Sequence, residues 1–165
     1  MFVPDAGSLN ARIVENPGRA DACRLVYDIA IPVSCVIDLP PELGDASQRR
    51  TVVLLDFIRV GLVDWRDLPG RSFEFPINPV EGYVDGSVYF NATHQYADLT
   101  HLTFGKLTGT SMQATVRIVF QFYPDTAMPD LPETMTIVWD VDLSVDCNAL
   151  DQVLVQARAA AGGAP

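Results

Sequence analysis

The apolar residues of this chain recur at every second position, and this period of two constrains the fold more than any other feature. It is clearest in residues 112–122, where the apolar positions are Met112, Ala114, Val116, Ile118, Phe120 and Phe122. Successive side chains of a β-strand point to opposite faces, whereas an amphipathic helix repeats its apolar residues every three or four positions. The segment therefore predicts a strand with one face on a core and the other in water.

Residues 134–146 repeat this alternation, and their polar face carries three carboxylates and no cation. We expect Trp139 on the core face, and Asp140, Asp142 and Asp146 on the water side. In a straight strand Asp140 and Asp142 lie about 6.6 Å apart, and Asp146 lies about 13 Å beyond Asp142. A hard cation needs oxygens at roughly 2.3–2.6 Å. The three acids are therefore expected to form a solvated strip or to meet a basic partner, rather than to bind a metal.

Other strand-like segments are separated by turns rich in proline, glycine and polar residues. Residues 49–65 are apolar on both faces, which favours a central strand, with a short buried helix as the alternative. Pro32 interrupts a further segment, which is expected to continue to residue 37 beyond a kink or on an edge. The remaining predicted strands cover residues 23–31, 71–75, 87–92 and 96–104, and the predicted connections include residues 42–49, 75–86, 93–95 and 105–111.

Helical spacing replaces alternation near the C-terminus, where the apolar positions are Leu150, Val153, Leu154 and Ala157. Asn148 is the predicted N-cap, with Asp151 near the positive end of the helix dipole. The chain is thus predicted to be mainly β: a single-domain antiparallel β-sandwich or partly open barrel over residues 1–165, with a short C-terminal α-helix. The predicted helix covers residues 149–161, and residues 162–165 are expected to form a flexible tail.

Composition narrows the classes of partner. The 165 residues carry 21 acidic and 11 basic side chains, a formal net charge of −10. Such a charge repels nucleic acid and anionic membranes, and attracts a basic protein. Maintenance of solubility is the simpler explanation of the same charge. No apolar run reaches the roughly 20 residues that span a bilayer, and no secretory signal is visible.

The cysteines favour a reducing compartment. Cys23, Cys35 and Cys147 form no CxxC pair and leave one thiol over, so they are expected to be small buried hydrophobic residues. We therefore expect a cytoplasmic protein. The use of arginine rather than lysine, with many alanines, suggests a bacterial genome rich in G and C.

Two groups of titratable residues are candidate sites. His94, Asp98 and His101 could come together around a hairpin as a metal facial set, although any polar hairpin has a similar composition. Asp56 lies within an apolar run, where burial would raise its pKa, but a structural ion pair with Arg59 is the favoured interpretation. No nucleophile elbow, phosphate loop, dinucleotide fingerprint or zinc-protease motif occurs, so no cofactor is expected and catalysis is not the favoured function.

The leading hypothesis is a non-catalytic acidic domain that binds a basic protein. In composition and fold class the chain resembles toxin-immunity proteins, a likeness that involves no specific residues, so an inhibitor of a basic toxin enzyme is its most concrete form. The alternatives are a small-ligand-binding or metal-binding barrel and a structural subunit of a homo-oligomer. The residues expected to contact the partner are Asp140, Asp142, Asp146, Tyr89 and Asp85.

Overall fold

The computed structural model describes residues 2–15, 23–37, 47–61, 64–90, 93–122 and 132–162. These residues form nine strands, a 3-10 helix at Trp65–Asp67 and one α-helix, α1, at Cys147–Gly162. The strands are β1 (Phe2–Pro4), β2 (Gly7–Glu15), β3 (Cys23–Ile37), β4 (Ser47–Ile58), β5 (Ser72–Glu74), β6 (Asp85–Phe90), β7 (Thr93–Thr108), β8 (Ser111–Gln121) and β9 (Thr134–Val145).

Seven of these strands form a closed barrel, in the order β3, β2, β9, β8, β7, β6, β4 and back to β3. The predicted β-rich fold with a C-terminal helix is therefore confirmed, in its barrel form. β1 pairs with the second half of β3, and β5 pairs with the middle of β7, so both extend the barrel. One pairing was not expected: β2 and β9 are parallel, with Gly7–Leu9 beside Leu143–Val145.

The barrel interior is filled by side chains that alternate inward along each strand. Tyr27, Phe104 and Phe120 are almost completely buried there, and Trp139 is 6% exposed, which confirms its predicted place in the core. Burial raises the pKa of Tyr27 to about 12, with a further contribution from the nearby negative charge of Asp64. Barrels of about this size are just wide enough for side chains to fill, so the inward face forms a packed core.

The central strand predicted from the apolar residues is confirmed as β4, but only one of its faces is buried. Val53 and Leu55 point into the core, but Val52 and Leu54 lie on the outer wall and are 40% and 37% exposed. The strand does lie between two neighbours, β3 and β6. It nevertheless has an uncovered outer face, because a barrel wall has only one buried side. The predicted strand also extended too far, since residues 65–67 form the 3-10 helix.

Other boundaries shift as well. Neither β1 nor β2 was predicted, and β7 includes residues 93–95 and 105–108, which were expected to lie in connections. β3 runs through Pro32 without ending, and the β1–β3 pairing begins at the next residue, Val33. Cys147 is a half-buried free thiol. Cys23 and Cys35 lie in β3, and their side chains are outside the described part of the structure.

The terminal helix begins two residues earlier than predicted, and its N-cap is Asp146 rather than Asn148. The Asp146 carboxylate accepts a hydrogen bond from the backbone N–H of Ala149 at 3.0 Å, and its carbonyl accepts from Leu150. Such a bond satisfies one of the unpaired N–H groups of the first helical turn. Residues 163–165 of the predicted tail lie outside the described residues.

Asp151 joins this helix to the 3-10 helix. Its carboxylate accepts a hydrogen bond from the Trp65 indole at 2.9 Å and forms an ion pair with Arg66 at 2.7 Å. These contacts lower the pKa of Asp151, the Arg66 hydrogen bond first and the Trp65 hydrogen bond second. Arg158 forms a second ion pair across the same junction, with Asp64 at 3.2 Å.

Candidate functional site

Polar side chains crowd one part of the outer barrel wall, where β5, β7, β8 and β9 lie side by side. Strand register places Ser72 opposite Thr103, Thr103 opposite Thr115, and Thr115 opposite Asp140. A second row runs from Glu74 through His101 and Arg117 to Val138. We call this area the polar wall; its members are Ser72, Glu74, His101, Thr103, Gln113, Thr115, Arg117, Asp140 and Asp142.

A concavity of about 390 Å³ opens in the polar wall, within the size range of roughly 300–1,000 Å³ of small-ligand pockets. Its lining includes Thr103, Gln113, Thr115, Asp140 and Asp142. The concavity lies where Gly105 contributes no side chain to the outer surface. The ladder between β7 and β8 is also irregular there, with a register shift between residues 104 and 107.

Asp140 and Asp142 give the concavity a negative charge. Both are exposed, as the alternation predicted. Asp140 accepts a hydrogen bond from the Thr115 hydroxyl at 2.6 Å, which fixes one carboxylate oxygen at the rim. Within the described residues, no Lys, Arg or His forms an ion pair with either carboxylate. The site can therefore accept a cation without first displacing one.

A chain of hydrogen bonds borders the concavity on the β5 side. Glu74 Oε1 lies 2.7 Å from His101 Nδ1, and His101 Nε2 lies 2.9 Å from Thr103 Oγ1. The Ser72 hydroxyl lies 2.8 Å beyond, from Thr103 Oγ1. Thr103 also lines the concavity, so one end of this chain opens onto the acidic site.

The donors and acceptors of this chain follow from the chemistry of its ends. An ionised carboxylate only accepts, so His101 Nδ1 donates to Glu74. In the neutral imidazole the other nitrogen is then an acceptor, and the Thr103 hydroxyl must donate to Nε2. Ser72 in turn donates to Thr103 Oγ1. Every hydroxyl proton therefore points towards the imidazole, and the arrangement orients a carboxylate, an imidazole and a hydroxyl in series.

The five residues predicted to contact a partner do not form one surface. Asp140 and Asp142 line the concavity, whereas Asp146 has turned away from β9 and caps α1. Tyr89 is 56% exposed, as expected, and Asp85 is also exposed. Both belong to β6, three strands away from β9, or about 14 Å along the wall.

The metal set considered from sequence is not assembled. His94, Asp98 and His101 all lie on β7, with no hairpin between them. His94 and His101 both point outward, because a bulge near Thr100 adds a residue. The length of β7 between them nevertheless keeps them about 20 Å apart. His94 packs edge-on against Tyr89 and Tyr96. No group of three metal-binding side chains occurs among the described residues.

Asp98 is a buried carboxyl on the outer side of the barrel, with 2% of its surface exposed. Burial raises its pKa, while a backbone hydrogen bond from Asn78 and a side-chain hydrogen bond from Gln121 oppose this increase; the nearby Asp85 charge raises the pKa further. The Gln121 bond measures 2.8 Å. Asp98 is therefore covered by the connection that contains Asn78, and it does not face the concavity.

The prediction of an ion pair between Asp56 and Arg59 is wrong, because Asp56 lies beside other acids. Burial raises the pKa of Asp56, and the Asp28 charge raises it further; Arg12 lowers it. Arg12 forms its ion pair with Asp28 instead, at 2.6 Å. The β3–β4 ladder has a bulge at this point, where its register shifts between Tyr27 and Ile29. At the bulge Phe57 has a φ of 60°, and its backbone N–H donates to Asp28.

Sequence reasoning identified the acids of the concavity but not Ser72, Glu74, Thr103 or Thr115. Polar outer positions at period two were visible in the corresponding strands. The missing information was the register between strands far apart in the chain, which brings Glu74 beside His101 and Thr103 beside Thr115.

Comparison of the chain with protein-family models, with curated proteins and with solved structures finds no match in any of the three. In the described part of the chain, no helix has the length and apolar character needed to cross a membrane.

Proposed function

We propose that the protein binds a partner protein by accepting a basic side chain, lysine or arginine, in the concavity of the polar wall. The observation that carries this proposal is the pair Asp140 and Asp142, two exposed carboxylates without a cationic partner among the described residues, on the rim of a preformed depression. The net charge of −10 favours the approach of a basic partner.

The surroundings of the two acids suit a long side chain with a charged end. Val138 precedes Asp140 on the outer face of β9 and is 56% exposed, so it offers apolar contact to methylene groups. Gln113 lies opposite Asp142 and adds an amide oxygen to the rim. An inhibitor of the immunity type, acting on a basic toxin enzyme by covering it, remains the most concrete form of this proposal.

The experiment is a titration with a fluorescent hexa-arginine peptide as the probe. We compare the native chain with an Asp140→Asn/Asp142→Asn double variant. The control is Asp67→Asn/Glu81→Gln, which removes the same charge at exposed positions elsewhere. Exposed ion pairs contribute roughly 0.2–1 kcal/mol each, so the first variant should bind about two- to thirtyfold more weakly. The control should bind like the native chain.

Equal weakening of both variants would contradict the proposal, because the peptide would then respond to net charge alone. Arg117 supplies a test in the opposite direction. It is exposed and lies on β8 opposite Val138, diagonal to Asp140, so it competes for the negative potential of the site. Arg117→Gln should therefore tighten peptide binding, and a loss of binding in this variant would also count against the site.

A further inference from the structure

We infer that Thr103 is an acyl-accepting residue: its hydroxyl is activated by His101 and Glu74 and becomes acylated by activated esters or thioesters. This inference goes beyond the binding of a basic side chain. It rests on the hydrogen-bond chain from Glu74 to Ser72 and on the position of Thr103 at the lining of the concavity.

The geometry contains the parts that a hydroxyl nucleophile needs. The base, His101 Nε2, lies 2.9 Å from the nucleophile, Thr103 Oγ1. The group that orients the base, Glu74 Oε1, lies 2.7 Å from His101 Nδ1. Both distances are within the hydrogen-bond reach that defines an activated serine or threonine. The Glu74 carboxylate, hydrogen-bonded to Nδ1, also stabilises the imidazolium that forms when His101 takes the proton. His101 is 26% exposed and Glu74 77% exposed, so a donor can approach from solvent.

Ser72 orients the nucleophile. Its hydroxyl lies 2.8 Å from Thr103 Oγ1 and donates to that oxygen, which leaves the Thr103 proton directed at His101. The β5–β7 ladder holds Ser72 opposite Thr103 and Glu74 opposite His101. The nucleophile, its base and a polar donor are thus fixed before a substrate arrives.

The reaction balances without an oxidant or a reductant. The Thr103 oxygen adds to the carbonyl carbon of the donor while its proton passes to His101 Nε2. The bond from that carbon to the leaving alcohol or thiol then breaks, and the imidazolium returns the proton to the leaving group. The products are the acyl ester of Thr103 and the free alcohol or thiol.

The acidic rim selects among donors, and this part of the inference rests on the proposed cation site. Thr103 and Asp140 are separated by one intervening strand, or about 9.6 Å. A donor with a positive group some six bonds from its carbonyl can therefore place its charge beside Asp140 while the carbonyl lies at Thr103. Neutral donors of equal length lack this contact.

The test uses two p-nitrophenyl esters of equal chain length as probes, hexanoate and its trimethylammonio derivative with the charge at the far end. Nitrophenolate release is followed by absorbance, and the acylated residue is located by peptide mass mapping. The native chain should acquire one acyl group on Thr103. Thr103→Ala should remove it, and His101→Gln should slow it roughly 100-fold or more. Thr103→Ser should keep it, and circular dichroism confirms that each variant is folded.

Thr108→Ala is the matched control on the same strand, at an exposed position, and should react like the native chain. Acylation confined to Lys106 or other surface groups, or an unchanged rate in Thr103→Ala, would overturn the inference. Asp140→Asn/Asp142→Asn should abolish only the preference for the charged ester. Acylation of Thr103 without a preference for the charged ester would contradict only the cation site. Binding of the cationic peptide without acylation of Thr103 would contradict only the acyl-accepting role.

Discussion

Asp56 and Asp85 face each other directly across β4 and β6, and Asp28 lies on the other side of Asp56. Like charges opposite each other destabilise a sheet. Burial first, and then the Asp28 charge, raise the pKa of Asp56. A carboxyl with a raised pKa holds its proton more tightly in the folded chain than in the unfolded chain. Its contribution to stability is therefore greatest below the ordinary pKa of 3.8 and is lost as pH rises through the raised value.

Asp56→Asn is expected to be more stable than the native chain at pH 7, because the amide removes the repulsion and the cost of burying a charge. The gain should be about 0.2–1 kcal/mol and should shrink as pH falls through the raised pKa, where the native carboxyl takes up its proton. Urea unfolding between pH 4 and pH 8 measures it. Asp67→Asn is the control at an exposed position, and a gain in Asp56→Asn that grows on acidification would refute the assignment.

Two glycines of the barrel wall predict opposite tolerance to a side chain. A Cβ on Gly86 would lie 1.8 Å from the backbone oxygen of Ala97, so the strands would have to separate. A Cβ on Gly105 would meet the Cβ of Gln113 at 3.0 Å, which a small shift relieves. We expect Gly86→Ala to cost about 3 kcal/mol or more and Gly105→Ala about 1 kcal/mol or less. Thermal and urea unfolding measure the free energy of unfolding of each variant. Equal losses of stability in the two variants would contradict the β6–β7 packing.

Among the elements, α1 has the most clearly defined beginning, with the Asp146 carboxylate bound to the N–H of Ala149. Asp146→Ala should lower the free energy of unfolding by about 1 kcal/mol, because the cap is lost. Asp146→Asn should keep most of it. Asn148→Ala, at the position that sequence favoured, should change little. Urea unfolding compares the three; a larger loss for Asn148→Ala would show that the helix begins differently.

The sequence predicted those elements whose signal is local. Alternation alone identified β8 and β9, because most of their inward residues are large and apolar and most of their outward residues are polar, and it placed Trp139 in the core. β2 escaped prediction although Leu9, Ala11 and Ile13 point the same way, since the small Gly7, Ser8 and Ala11 weaken the contrast between its faces.

The site was predictable only in part, for a related reason. The outward direction of Asp140 and Asp142 follows from the period of their own strand. The contact of His101 with Glu74 depends on the pairing of β5 with β7 and on the extra residue at the bulge, which returns His101 to the outer face. Asp56 was assigned to Arg59 because the two are close in sequence, whereas the fold places Asp28 and Asp85 beside it.

At the scale of the whole molecule, the net charge of −10 should govern how fast a basic partner arrives. Association of the hexa-arginine peptide, followed by stopped flow, should slow steeply as salt rises from 10 mM to 300 mM, because the Debye length falls from about 30 Å to below 8 Å. Dissociation should respond less. Asp67→Asn/Glu81→Gln should reduce the slope slightly, and an association rate independent of salt would rule out steering.

The parallel seam between β2 and β9 has a consequence for biosynthesis. It joins residues 7–9 to residues 143–145, so the circle of strands cannot be completed while the latter are still inside the ribosome. Until then the nascent chain exposes two unpaired edge strands and the apolar inner face of the sheet, and both features favour aggregation. Closure of the barrel should therefore be slow, as for other proteins dominated by distant contacts, and should benefit from a chaperone that shields the open sheet.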